Sequence, residues 1–160
     1  MRIALAGRSG AGKTTMVRQL IQIFGGTELN FADPLKKIMT FIQDTCNIPY
    51  EKDRTLLQWI GTDWGRNKDE LLWVNLLEKE LESIEGNVFI GDLRFPNEME
   101  MLKKHGFICI YISAGHCATE QMHAHISETS LSDKDNWDLI ITREDIQGMF
   151  ECLYNYINSI

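Results

Sequence analysis

The feature that most constrains this chain is a glycine-rich segment near its start. Residues 7–14 read GRSGAGKT, which matches the pattern GxxxxGK[ST] at every position. An apolar run over residues 2–6 precedes the segment, and apolar residues at helical spacing follow it at Met16, Val17, Leu20, Ile21 and Phe24. A strand, a glycine loop and a helix in this order predict a loop whose backbone N–H groups point at phosphate oxygens, beside the positive end of the helix dipole.

The positions of this loop have different expected roles. Lys13 is expected to reach the β- and γ-phosphates of a nucleoside triphosphate, and Thr14 to bind Mg²⁺. Nucleotide binding is predicted for Gly7, Ser9, Gly10, Ala11, Gly12, Lys13, Thr14 and Thr15. ATP is preferred to GTP because residues 67–70, NKDE, do not place their acids as an NKxD base-reading motif would. The predicted cofactors are therefore ATP and Mg²⁺.

Length and charge narrow the class of protein. The 160 residues suit one domain, predicted to span residues 1–160. A formal net charge of -7 argues against non-specific nucleic-acid binding, which needs a broad basic surface. No apolar stretch reaches the roughly 18 residues of a membrane span, and the four cysteines form no CxxC pair. We therefore expect a cytoplasmic protein that acts on a small molecule, with neither nucleic acid nor membrane as partner. The sequence leaves open whether it forms a homodimer.

The rest of the chain alternates strand and helix signals, which predicts an α/β fold with a mostly parallel sheet. The five predicted strands cover residues 2–6, 27–31, 87–91, 107–112 and 139–142. Helices are predicted after the glycine loop, from an N-cap at Asp33, over residues 54–60, 70–84 and 96–104, and after a capping box of Thr142 and Asp145. Residues 61–67 are predicted to form a polar turn, and residues 113–135 a lid or mobile loop within the domain.

Acidic and basic residues cluster where the strands are predicted to end, which is the ligand-binding edge of an open α/β sheet. Arg66 and Arg94 are the first candidates for binding an acceptor phosphate, because a guanidinium can hold two phosphate oxygens at once. Asp92 follows a hydrophobic strand, where an acid commonly completes a magnesium site. Asp33 is either a site residue or only a helix N-cap, and Lys37 is either a site residue or a solvated side chain.

Six motifs occur in order along the chain: GRSGAGKTT at 7–15, FADPLKK at 31–37, GTDWGR at 61–66, WV at 73–74, DLRFPNE at 92–98 and HISE at 125–128. Together they resemble the deoxynucleoside monophosphate kinase family, the phage-type enzymes within the P-loop nucleotide kinase group. The resemblance implies a P-loop three-layer sandwich, in which helices flank a mostly parallel five-stranded sheet with strand order 2-3-1-4-5. It also implies transfer of the ATP γ-phosphate to a deoxynucleoside 5′-monophosphate, and a location in the host cytoplasm if the chain is phage-encoded.

The resemblance also assigns roles to single residues. Catalysis is assigned to Lys13, Arg66, Asp92 and Arg94, and metal binding to Thr14 and Asp92. Substrate binding is assigned to Asp33, Lys37, Trp64, Arg66, Trp73, Asp92, Arg94 and Glu128, although packing is the commoner role of any single tryptophan. The predicted lid departs from related kinases, because it contains no arginine and only Lys134 as a long cation. Arg8, Arg66 and Arg94 are candidates for the missing cation, and His125 for assisting in its place.

Two other functions remain open at this point. FADPLKK-like segments resemble those of some phosphomevalonate-type kinases, so the acceptor could be another small phosphorylated metabolite. A nucleotide-dependent regulatory ATPase or switch is the third hypothesis. The arginines that gather where an acceptor would bind disfavour it, since a switch needs no acceptor site.

Overall fold

The described part of the chain forms two compact units. The structure is a computed structural model, and it describes residues 1–114, 130–131, 135–143 and 145–159. The sheet unit consists of Met1–Glu28 and Glu85–Ile160, and the insert unit consists of Leu29–Ile84. That the two act as one domain over residues 1–160 stays a prediction.

A five-stranded sheet organises the fold, with strand order β2-β3-β1-β4-β5. Its strands are β1 (Arg2–Gly7), β2 (Thr27–Leu29), β3 (Val88–Leu93), β4 (Ile108–Ala114) and β5 (Leu139–Arg143). β1 runs parallel to both β3 and β4, and β4 runs parallel to β5. The predicted α/β class and the strand order implied by the resemblance are therefore confirmed.

Helices follow the strands in the order that the alternation predicts. They are α1 (Lys13–Phe24), α2 (Asp33–Cys46), α3 (Arg54–Gln58), α4 (Leu72–Leu81), α5 (Pro96–Lys104) and α6 (Ile146–Ile157), and a π-helical segment, Trp59–Arg66, follows α3 directly. α1 ends where predicted, at Gly25, which has a φ of 63° and donates its N–H to the Ile21 carbonyl. α5 covers its predicted range of 96–104. None of the helices in the described ranges is long and apolar enough to cross a bilayer.

The sheet carries helices on both faces. On one face, α1 and α6 pack over the strands through a buried apolar cluster that includes Leu5, Met16 and Leu153. The connection from β3 through α5 to β4 runs along the sheet in the opposite direction to the one from β1 through α1 to β2. Right-handed crossovers then place α5 on the opposite face from α1. Because β1 runs parallel to both β3 and β4, the carboxyl ends of these three strands lie at one edge of the sheet.

The insert unit has a small core of its own. Its buried apolar residues are Met39, Ile60 and Trp73, which are 1%, 2% and 3% exposed. Gly61 and Gly65 make this packing possible: a Cβ at Gly61 would lie 2.7 Å from a terminal carbon of Leu35, and a Cβ at Gly65 would overlap the Trp73 ring. The glycines of the GTDWGR motif are therefore packing positions in a helix.

The prediction of a polar turn over residues 61–67 is wrong. Residues Trp59–Arg66 form the π-helical segment, and neither Gly61 nor Gly65 has a positive φ. Trp73 explains the difference, because its Nε1 donates to the Gly61 carbonyl at 2.7 Å while its ring occupies the space beside Gly65. A contact between residues twelve apart in the sequence overrides the local preference of glycine for turns.

Two predicted helix caps are also wrong. Asp33 is the first residue of α2, and Ala32, with φ of -80° and ψ of -6°, precedes it without a side-chain cap. The Asp33 carboxylate accepts from Lys36 Nζ at 2.6 Å instead of from a backbone N–H. Thr142 lies inside β5 and cannot cap the last helix, so Asp145 alone caps α6, by accepting from the Gly148 N–H at 2.6 Å.

Candidate active site

The glycine loop between β1 and α1 has the backbone conformation that its sequence predicts. Gly7, Gly10 and Gly12 have φ values of 137°, 83° and 83°, which side-chain-bearing residues rarely adopt. Gly7 also lies so close to β4 that a Cβ there would overlap the Ile112 carbonyl oxygen. The loop is therefore packed against the sheet at its start, and the positive φ values of Gly10 and Gly12 curl the backbone that follows.

Lys13, the first residue of α1, folds back over the glycine loop. Its Nζ donates to the Gly7 carbonyl at 2.7 Å and to the Arg8 carbonyl at 2.8 Å. The ammonium group thus lies above the loop, where the phosphates of a nucleotide are expected. Thr14 and Thr15, the next residues, are exposed in the first turn of α1. This end of the helix combines a positive dipole with a lysine, an arrangement that favours an anion.

A pocket opens beside the loop at the carboxyl ends of three neighbouring strands. It is lined by Gly7 and Ser9 of the loop, Leu93 and Arg94 at the end of β3, Tyr111 of β4, and Leu131. The sheet brings these residues together because Ala6 of β1 pairs with Leu93 on one side and with Tyr111 on the other. Among the described residues, an arginine and a tyrosine line this pocket beside the phosphate loop, which suits an anionic ligand.

The turn between β3 and α5 presents Arg94 to this pocket. Glu98 is only 2% exposed, and its Oε2 accepts from the backbone N–H groups of Arg94 at 2.9 Å and Phe95 at 3.1 Å. Phe95 is the extended residue before the helix, and Pro96 begins it. β3 extends two residues beyond its predicted end, so Asp92 lies inside the strand and not after it. Its side chain is half-buried there.

The sequence analysis does not predict several residues of this site, among them Tyr111, Leu131 and Glu98. Tyr111 and Leu131 line the pocket, but Tyr111 lies in an apolar run that predicts only a buried strand. Glu98 had a readable signal, since a glutamate three residues after a helix N-cap commonly accepts from the backbone N–H of that cap. Nothing in the sequence singles out Leu131.

Four residues predicted for substrate binding lie in the insert unit and are accessible there. One carboxylate oxygen of Asp33 accepts from Lys36 Nζ, and the other accepts from Asn30 Nδ2 at 3.4 Å. Lys37 is exposed on α2, and Trp64 is 41% exposed on the π-helical segment. Arg66 ends that segment, and its guanidinium donates to the Glu70 carbonyl at 3.4 Å. Their substrate-binding roles stay predictions.

Trp73, the fifth of them in the insert unit, is buried. Its indole is 3% exposed, and its N–H donates to the Gly61 carbonyl at 2.7 Å. Packing therefore gives Trp73 a structural role whatever its part in binding. Glu128, the remaining predicted substrate residue, lies outside the described residues, as does most of the predicted lid over residues 113–135.

Cys109, in the middle of β4, is a buried thiol of the sheet unit. Burial, and then the nearby negative charge of Asp138, raise the pKa of Cys109 from 9.0 to about 12, against a smaller opposite effect of Lys103. A thiol with a raised pKa is a poor nucleophile, because the thiolate is the reactive form. We therefore assign Cys109 to packing and not to chemistry.

Comparison with known families decides the class of this site. The family model for deoxynucleotide monophosphate kinase matches residues 50–157, which is more than half of the chain. The chain belongs to the deoxynucleotide monophosphate kinase family. It is thus a nucleotide monophosphate kinase, as the resemblance implies. The matched range includes Arg66 and Arg94 but begins after the glycine loop, so the loop supports the assignment independently.

A relative from Acanthamoeba polyphaga mimivirus extends the family match over most of the chain. This protein, described as a "Putative deoxynucleotide monophosphate kinase", is 29% identical over an alignment of 171 positions that covers 87% of this chain and 86% of the relative. Among solved structures, a sugar kinase from Janibacter sp. HTCC2649 has a TM-score of 0.53 at 12% identity, over 98% of this chain and 94% of its own. A gluconokinase from Sinorhizobium meliloti 1021 has a TM-score of 0.47 at 16% identity, over 99% and 97%. The likeness to the sugar kinase shows the fold alone.

Proposed function

We propose that the protein transfers the γ-phosphoryl group of ATP to the 5′-phosphate of a deoxynucleoside monophosphate, giving the deoxynucleoside diphosphate and ADP. One observation carries this proposal: the glycine loop, with Lys13 above it, directly adjoins a pocket that Arg94 lines. A phosphoryl donor and a phosphorylated acceptor need two such anion sites side by side. The cytoplasm, where nucleotides are abundant, is the proposed location.

The donor half of the site is the glycine loop. Its backbone N–H groups and the start of α1 stabilise the negative charge of the ATP phosphates. Lys13 exchanges its two carbonyl acceptors, Gly7 and Arg8, for oxygens of the β- and γ-phosphates when ATP binds. The ammonium is thus already placed near its site of action, and binding requires only a rotation of a flexible side chain.

The acceptor half of the site includes Arg94. Its planar guanidinium can hold two oxygens of the acceptor phosphate and so fix the direction of attack. The predicted substrate residues Asp33, Lys37, Trp64, Arg66, Trp73 and Glu128 are also proposed to contact the acceptor nucleotide. Arg66 and Arg94 are the residues proposed to neutralise the charge of its phosphate.

Mg²⁺ is the metal that a kinase of this fold implies, and the residues present fit it. Mg²⁺ prefers oxygen ligands and is commonly held by one or two protein groups together with phosphates and water. Thr14 offers an exposed hydroxyl at the start of α1, and Asp92 offers a half-buried carboxylate in the adjacent β3. When bound, the ion supplies charge neutralisation at the phosphates of ATP.

The transfer itself asks for positioning more than for acid–base chemistry. An oxygen of the acceptor phosphate attacks the γ-phosphorus, and the bond from that phosphorus to the bridging oxygen of ADP breaks. Negative charge spreads over the transferred group, where Lys13, Arg94 and Arg66 are proposed to stabilise it. The proposed roles of Lys13 and the two arginines are therefore to bind, align and neutralise.

A substrate panel tests the proposal directly. ADP release is measured with ATP and Mg²⁺ against each common deoxyribonucleoside and ribonucleoside monophosphate, and the product is identified by chromatography. We expect turnover with one or more deoxynucleotides, and loss of it in Lys13→Met. Turnover only with another phosphorylated metabolite would show that the acceptor is that metabolite and not a deoxynucleoside monophosphate. ADP release that no acceptor accelerates would favour a regulatory ATPase.

A further inference from the structure

We infer that Glu98 is a positioning residue that holds Arg94 at the wall of the pocket; this inference rests on the proposed function. Glu98 Oε2 accepts from the backbone N–H groups of both Arg94 and Phe95, at 2.9 and 3.1 Å, and the residue is 2% exposed. The carboxylate thus closes the turn at Arg94, a residue that lines the pocket beside the glycine loop.

Helix capping explains only half of this arrangement. The bond to Phe95 is the one that a glutamate at the third helical position makes to the N-cap residue. The bond to Arg94 reaches one residue further and fixes the peptide from which the Arg94 side chain departs. Burying a carboxylate is costly unless strong hydrogen bonds offset the loss of water. Helix capping alone does not require a buried acid, because Asp145 caps α6 with an exposed carboxylate.

The orientation of Arg94 matters because its proposed task is geometric. A guanidinium binds a phosphate through two parallel hydrogen bonds only when its plane meets the oxygens correctly. A misplacement of about 1 Å in a phosphate-aligning group can lower the rate about a hundredfold. Weakening the hold of Glu98 should therefore impair use of the acceptor while leaving ATP binding at the loop intact.

A double-mutant cycle tests whether Glu98 acts through Arg94. Acceptor kcat/KM is measured for Glu98→Gln, Arg94→Ala and the double variant, with ATP saturating. We expect Glu98→Gln alone to lower it about tenfold, since a neutral amide makes weaker hydrogen bonds than a carboxylate. Glu98→Ala should lower it further. In the Arg94→Ala background, Glu98→Gln should cost less than about twofold, because the group that it positions is gone.

Glu100→Gln is the matched control. Glu100 lies on the same helix but is exposed, and it pairs only at the surface with Lys104, at 3.0 Å. Its replacement should change neither acceptor kcat/KM nor the KM for ATP. The same fold loss from Glu98→Gln with and without Arg94 would overturn the inference, and so would a KM for ATP that rises as much as acceptor use falls.

Amide hydrogen exchange of the wild-type protein gives a test that needs no variant to fold. The Arg94 and Phe95 amides should exchange as slowly as hydrogen-bonded strand amides, because a buried carboxylate accepts both. Rapid exchange at either would overturn the inference. The two proposals also fail differently: a wild-type enzyme without deoxynucleotide turnover contradicts the proposed function, whereas an additive cycle in an active enzyme contradicts only the role of Glu98.

Discussion

The glycine loop of the sheet unit and the π-helical segment of the insert unit both depend on glycine, but for different physical reasons. In the loop, Gly10 has a φ of 83° and a Cβ there would meet no atom within 4 Å. In the segment, Gly61 and Gly65 have no positive φ, and a side chain would meet Leu35 or Trp73. Backbone conformation requires glycine in the loop, and lack of space requires it in the segment.

This difference determines where the cost of a mutation should appear. The loop shapes a surface for a ligand, so changes in it should mainly lower activity. The segment admits an indole into a core, so changes in it should mainly lower the stability of the insert unit. Gly7 combines both reasons, since it has a φ of 137° and also lies against the Ile112 carbonyl.

The largest expected effect is the loss of activity in Lys13→Met. Removing one charged donor from a transition state commonly lowers kcat about a hundredfold to a thousandfold. The free energy of unfolding should change by less than about 1 kcal/mol, because Lys13 is only half-buried. ADP-release kinetics and denaturant titration measure the two quantities.

Lys104→Met is the control for that change. Lys104 is an exposed lysine on α5 that pairs with Glu100, and its loss should leave both kcat and stability unchanged. A strong loss of stability in Lys13→Met, with kcat retained by the folded protein, would show that the loop is only a structural turn. The proposed contrast between the loop and the π-helical segment would then be wrong.

The next largest effect concerns the two glycines of the segment, each replaced by alanine. Gly65→Ala places a methyl group into the Trp73 ring, and overpacking of this kind costs about 2 to 3 kcal/mol of folding free energy. Gly61→Ala should cost less, because it meets the flexible end of Leu35 at 2.7 Å and gains helix propensity. Urea unfolding compares the variants, and the reverse order of cost would show that the Trp73 contact does not constrain Gly65.

Local signals in the sequence were sufficient for some elements and not for others. The glycine loop, α1 and α5 are readable because apolar periodicity, terminal glycines and Pro96 all act within a few residues. The π-helical segment is not, because Trp73 reaches it from α4. The strand order came from the resemblance, since periodicity cannot say which strands pair. The pocket beside Arg94 cannot be predicted from local signals, because it depends on the register of β1 with β3 and β4.

A smaller effect on stability is expected from Trp73→Phe. This variant tests whether Trp73 serves packing alone or also contacts the substrate. Phenylalanine keeps most of the ring but leaves the buried Gly61 carbonyl without its 2.7 Å donor, which costs about 1 to 2 kcal/mol. Stability is measured by urea unfolding, and the acceptor KM is measured in the folded variant. An unchanged KM would reduce Trp73 to a packing residue, whereas a raised KM would support its predicted contact with the substrate.

The effect expected to be smallest near neutral pH is an alkaline loss of stability in the sheet unit, so the other comparisons are made below about pH 8. The pKa of Cys109 is raised to about 12 by burial and by Asp138, so above pH 9 the unfolded chain loses a thiol proton that the folded chain keeps. Stability should therefore be unaffected below about pH 8 and fall above about pH 9, by at most about 1.4 kcal/mol per pH unit. Cys109→Ala should lower the free energy of unfolding at neutral pH. It should also remove the part of the loss above about pH 9 that the thiol causes. An equal slope in both proteins would mean that another group causes the loss.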